Sequence, residues 1–179
     1  MTFSLDDLID MKQVPNKRLE KIVELLIEEI DANYTENRDQ PLPWSINHMY
    51  TCAQLSKLIA IIRGLDPEIA GIAGAIHDLF VIRMGIFGEH GPKGEPLVRE
   101  FLKDYNDIYS EEYGEISEED VEKICLATKY HTDKKNFTQD KFIELIKDTD
   151  AFDRLLHGHD IPEYYLPRCK AVLKNLKII

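Results

Sequence analysis

The chain reads as an all-α protein, on three observations. Apolar residues recur every three or four positions in one segment after another, the period of a helix with one buried face. Two segments open on helix-start signals, Asp66-Pro67 and Ser117-Glu-Glu-Asp120. No stretch reads convincingly as a strand. With 179 residues, no repeat and no obvious linker, one domain spanning 1–179 is the simplest organisation.

A short helix over residues 4 to 11, capped by Ser4, opens the chain. Pro15-Asn16 restarts it. Leu19, Ile22, Val23, Leu26 and Ile30 then mark an amphipathic helix over about 17 to 32. After a proline-bearing connection, Ser45 caps a helix over about 46 to 63. His48, Cys52, Leu55, Ile59 and Ile62 share one stripe of it, so His48 points inward. A lone inward histidine is most simply a core residue bonded to a carbonyl. Trp44 beside it reads as a core aromatic. Gly64 ends this helix.

Asp66-Pro67 starts the next, which carries Ile69, Ile72, Ala73 and Ile76 and then His77-Asp78. Its glycines and alanines suit a helix closely packed at the centre. Two adjacent ionisable groups there are costly unless paired. They are either an ordinary hydrogen-bonded core pair or ligands for a divalent metal.

Residues 83 to 96 hold four glycines and two prolines and are expected to form a loop giving access to a site. The loop contains His90, Arg83 and Lys93; each cation taken alone is most simply a solvent-exposed charge, and either could neutralise a phosphate. It lacks the GxxxxGK[ST] pattern of a nucleotide P-loop. Helix resumes from Pro96 to Tyr105, and 106 to 116 reads as a loop or a frayed end. Tyr105, Tyr109 and Tyr113 are read as exposed, serving either a homo-oligomer contact or no contact at all.

The helix opened by Ser117 runs Val121, Ile124, Cys125, Thr128 and His131 along one stripe, so His131 also faces the core. On the helix over about 139 to 156, Ile143, Ile146 and Asp150 fall on one buried stripe. Asp148 points away from that stripe and is read as a solvated acid. Asp153 sits one turn past Asp150. His157-Gly-His159 is taken as a surface turn. A terminal helix fills 162 to 179.

Composition sets outer limits on function. A net charge of −11 does not supply the basic surface that long nucleic acid requires. A small anionic substrate stays open, because a bound metal reverses the local sign of charge. No apolar run approaches the ~20 residues of a membrane span. The N-terminus carries no secretion signal, so a cytoplasmic location is expected. Three scattered cysteines without CxxC speak against a disulfide framework or a cysteine zinc site, and Cys52 and Cys125 read as reduced core thiols.

His48, His77-Asp78 and Asp150, one after another on core-facing helical positions, resemble the HD-domain superfamily of metal-dependent phosphohydrolases. Ser45-Ile-Asn-His-Met-Tyr-Thr-Cys-Ala is similar to the family's first helix. Ala73-Gly-Ala-Ile-His-Asp-Leu is similar to its His-Asp segment, and Ile146-Lys-Asp-Thr-Asp-Ala-Phe-Asp to its final aspartate segment. The resemblance runs over about 45 to 156. It implies metal ligands at His48, His77, Asp78 and Asp150, holding Mn, Fe, Co, Ni or Zn. His90 and Lys129-Tyr-His131 resemble the extra histidines of two-metal members. If both bind, Asp78 bridges two ions.

The implied reaction is hydrolysis of a small phosphate ester, with a nucleotide or nucleoside phosphate as the default. Asp78, Arg83 and Lys93 form the expected catalytic set, with Lys129 and Lys134 as weaker candidates. The Gly-Tyr-Pro motif of cyclic di-nucleotide phosphodiesterases is missing after His131. The same ligand types also serve di-iron oxygenases of this superfamily, or a regulatory helical module that keeps a metal without turnover.

Overall fold

A computed structural model describes residues 14–33 and 36–179, and the expected helix at 4 to 11 lies outside them. The described elements are α1 (Lys17–Ala32), α2 (Leu42–Arg63), α3 (Pro67–Ile76), α4 (Leu79–Met84), α5 (His90–Tyr113), α6 (Glu118–Tyr130) and α7 (Lys141–Leu156). A 3-10 turn at Glu163–Tyr165 then leads into α8 (Leu166–Asn175). There is no strand among the described residues.

Helix α1 lies where its period put it, burying Leu19, Ile22, Leu26 and Ile30. Helix α2 starts earlier than expected, at Leu42 behind Pro41. Pro43 is compatible with a first turn, whose N–H groups have no intrahelical partner. Ser45 is therefore inside the helix and does not cap it. Gly64 closes α2 with φ +68°, a left-handed backbone that glycine adopts without strain. The Asp66 side chain accepts from the N–H groups of Glu68 and Ile69 and caps α3.

Helices α3 and α2 pack tightly. A Cβ on Gly74 would stand 2.5 Å from the Cys52 carbonyl oxygen, so only glycine permits this approach. Every residue of α3 from Glu68 to Ile76 is buried. The helix breaks at His77-Asp78 and restarts as α4, which leaves the His-Asp pair on the bend.

The expected loop over 83 to 96 is largely helical. Helix α5 begins at His90 and runs through Gly91, Pro92, Gly94 and Pro96. Pro92 falls in the first turn, where its missing N–H costs nothing. Gly91 is there for proximity: a Cβ would meet the Lys129 carbonyl oxygen at 2.8 Å. Helix α5 continues through the segment expected to fray, to Tyr113. Tyr105 is buried and donates to the Gly114 carbonyl, and Tyr109 and Tyr113 pack partly against the core. These tyrosines are thus structural and not an exposed patch.

Helix α7 is surrounded by α2, α3, α6 and α8. It buries an unbroken run from Leu145 to Asp153. Asp148 is consequently buried, contrary to the expectation of a solvated acid. Arg63 of α2 and Arg168 of α8 bind its carboxylate at 2.7 and 3.0 Å. The three cysteines are buried free thiols, as expected for Cys52 and Cys125.

Candidate metal centre

Four histidines converge on Asp78. His48 comes from α2, His77 from the α3–α4 bend, His90 from the start of α5 and His131 from the end of α6. Each ring is held by its Nδ1. That atom lies 2.8 Å from the Gly74 carbonyl in His77, 2.6 Å from the Phe87 carbonyl in His90 and 2.6 Å from the Thr128 carbonyl in His131. In His48 it lies 2.5 Å from Asp153 Oδ2. A carbonyl oxygen only accepts, so Nδ1 carries the hydrogen in three of the rings. A neutral ring in that tautomer presents a lone pair at Nε2.

The four Nε2 atoms face two carboxylates. Asp78 Oδ2 is 3.5 Å from His48 Nε2 and 3.8 Å from His77 Nε2. Asp78 Oδ1 is 3.4 Å from His90 Nε2 and 3.3 Å from His131 Nε2. Asp150 Oδ1 is 3.5 Å from His48 Nε2, and the Nε2 atoms of His48 and His77 are 3.3 Å apart. Asp78 thus divides the cluster in two. His48, His77 and Asp150 stand on one side, and His90 and His131 on the other.

The group is fit for a cation. Asp78 Oδ1 and His131 Nε2 are buried and lack a hydrogen-bond partner, although they stand 3.3 Å apart. Buried polar atoms are seldom left so. A lone pair and a carboxylate oxygen facing each other repel unless positive charge lies between them. Imidazole nitrogen and carboxylate oxygen suit Zn, Mn, Fe, Co and Ni. The Nδ1 bonds fix ring orientation as they do around bound metals. His77, Asp78 and His131 have donor atoms within 4.8 Å of one another, and so do His48, Cys52 and His77. Cys52 fits less well. Its sulfur is nearly equidistant from His48 Nδ1 and Nε2, at 3.6 and 3.8 Å, so it packs on the ring. Burial and the nearby aspartates push its thiol well above the usual range.

The electrostatics keep His77, His131, Asp78 and Asp150 in ligating form, while His48 is held towards its protonated form. Burial pulls His77 down to about 4 and lowers His131. Burial would also lower His48, but the Asp153 bond and the Asp150 and Asp78 charges outweigh it and leave it raised. Burial works against ionisation of both aspartates. For Asp78 the neighbouring histidines outweigh it, with His77 foremost, and for Asp150 the Lys134 ammonium does. Both stay below the usual carboxylate range.

The structure brings the six predicted donors together and places the predicted cations Arg83 and Lys93 on other partners. Arg83 binds both oxygens of Glu29, at 2.9 and 2.6 Å, and lines a cleft that contains none of the six. It is on α4, on a face turned to α1. Lys93 is exposed, and its ammonium meets Glu89 and the Gly88 carbonyl. The cation inside the centre is Lys134, fully buried, bound to Asp150 Oδ2 at 2.5 Å and to the His131 carbonyl. Arg168, also unforeseen, holds the Lys134 carbonyl at 2.7 Å. His157 and His159 belong to the supporting structure: His157 Nδ1 lies 3.1 Å from Asp153 Oδ2, and His159 Nε2 accepts from Trp44 Nε1 at 2.8 Å.

Fold and centre together define an all-helical protein with a buried histidine–aspartate cluster that could hold divalent metal. The chain belongs to the HD-domain family, whose model matches residues 45–155. That family lies within the superfamily of metal-dependent phosphohydrolases. No curated protein and no solved structure matches the chain. No described helix is long and apolar enough to cross a membrane.

Proposed function

We propose that this protein is a cytoplasmic metal-dependent phosphohydrolase of one domain, acting on a small phosphate ester, with nucleotides or nucleoside phosphates as the first class to test. The observation that carries the reading is the convergence of four Nδ1-anchored histidines on the two oxygens of Asp78. His48, His77, Asp78 and Asp150 would hold one transition-metal ion, and His90 and His131, with Asp78 shared, a second. A bound divalent ion supplies a lowered pKa for water and charge compensation at phosphoryl oxygens.

The chain's own residues do the rest. Asp153 orients His48, and Lys134 occupies Asp150 Oδ2, leaving Oδ1 for the centre. With Lys134 offsetting Asp150, and burial keeping His77 and His131 neutral, these groups add no charge that repels a metal. The test is elemental analysis of protein purified without chelator, alongside phosphate release from a panel of esters with added Mn, Co or Ni. One or two equivalents of metal and turnover, both lost in His77→Ala, support the reading. Absence of metal after incubation with all five ions overturns it.

A further inference from the structure

We propose that Arg154 is the residue that receives the substrate's phosphoryl oxygens at this centre, a role from which Arg83 is held back by its ion pair with Glu29. This rests on the phosphohydrolase reading above. Arg154 lies one turn past Asp150 on α7, so the two share a face of the helix. Its guanidinium carbon is 5.7 Å from the Trp44 ring centre and 5.6 Å from that of Phe87. Those rings flank the two halves of the cluster. Trp44 stacks on His48 at 4.5 Å and 16°, and Phe87 meets the His90 ring edge-on at 5.4 Å. A group near both rings is therefore close to the side of the cluster built by His48 and His90, of which His90 is partly exposed.

The way Arg154 is held matters as much as where it is. Other arginines are spent on acids: Arg83 on Glu29, Arg63 on Asp148, Arg168 on Asp148 and Glu144. Arg154 has no ion-pair or hydrogen-bond partner for its guanidinium among the described residues, and it is half-buried. Contact with aromatic rings attracts its charge without using its N–H donors. Five unspent donors in a planar fork match phosphoryl oxygens two at a time. Trp44 is itself fixed by its bond to His159, which gives the arginine a rigid support.

The test uses the metal-loaded protein and inorganic phosphate, read by titration calorimetry. Metal content of each variant is measured in parallel. Trp44, the single tryptophan of the chain, also reports the site by its emission. Arg154→Ala is expected to weaken phosphate binding about ten- to a hundred-fold, the effect of removing charged hydrogen bonds to an anion. Arg154→Lys keeps the charge but loses the fork and should fall between. Both should retain the wild-type metal stoichiometry. Phosphate binding unchanged in Arg154→Ala overturns the proposal, and so does a wild-type protein that loads metal but binds no phosphate. The two readings fail separately. Arginine-dependent phosphate binding without ester turnover sinks the hydrolase reading alone, and turnover with KM unaltered in Arg154→Ala sinks this one alone.

Discussion

Lys134 Nζ binds Asp150 Oδ2 at 2.5 Å inside the protein, while Oδ1 of the same carboxylate faces His48. One oxygen is committed to a fixed internal cation and the other is kept for the centre. Removing one partner of a buried pair strands the other charge. Lys134→Met is therefore expected to destabilise the metal-free protein by about 3–5 kcal/mol. Added Mn or Zn should recover part of the loss, since a cation then meets Asp150 again. Urea unfolding with and without metal checks both halves.

Asp153 acts on the centre through His48, whose Nδ1 lies 2.5 Å away. Removing such an orienting carboxylate typically costs about 10–100-fold in metal affinity. Asp153→Ala should show that loss in a competition titration against a chelator, with helix content by circular dichroism unchanged. Full affinity in the variant would make the contact merely structural.

The two sides of Asp78 predict different stoichiometries. His90→Ala and His131→Ala should each lose one of two metal equivalents and keep the other. Asp78→Ala should lose both, because its Oδ1 and Oδ2 serve opposite sides. Elemental analysis of the three variants decides it. A single equivalent in the wild type, untouched by His90→Ala, would remove the second ion.

The metal-free protein should weaken steadily as pH falls from neutrality. His77 is lowered from 6.5 to about 4 and His131 is lowered too, so over this window the unfolded chain binds more protons than the folded one. Stability is fully present above 6.5 and is lost as pH falls towards 4. Asp78 and Asp150, also lowered, extend the loss below 3.8. His48, raised, works in the opposite sense and offsets part of it. The urea midpoint at pH 7.5, 5.5 and 4.5 should fall in that order.

Gly74→Ala should destabilise by about 1–3 kcal/mol, the usual cost of overpacking. The new methyl would stand 2.5 Å from the Cys52 carbonyl and 2.6 Å from Ser56 Oγ, forcing α2 and α3 apart. Gly88→Ala, with nothing within 4 Å of its Cβ, is the control. Thermal unfolding of the pair separates packing from a general intolerance of alanine.

Much of this was legible from residue spacing. The period of α1, the caps at Asp66 and Ser117, and the inward direction of His48, His131 and Asp150 follow from a rotation of about 100° per residue. The loop expected over 83 to 96 failed because glycine was read as flexibility. Gly91 instead lets α5 touch the end of α6, a contact that nothing in the local sequence announces. Asp148 failed for a related reason. A one-stripe reading assumes that a helix has a wet face, and α7, packed on four sides, has none along its middle.

The sequence by itself determined most of the helices and their buried stripes, because helical period is a local property, and its resemblance to the HD-domain superfamily named the six candidate donors. Only the tertiary structure decided which charges answer one another. Arg83 went to Glu29, Arg168 to Asp148 and Lys134 to Asp150, and Arg154 came to rest on Trp44 and Phe87. Most of these partners are far apart along the chain. An ionic or cation–π contact depends on distances of a few ångströms in space, and only the packing of the helices sets them.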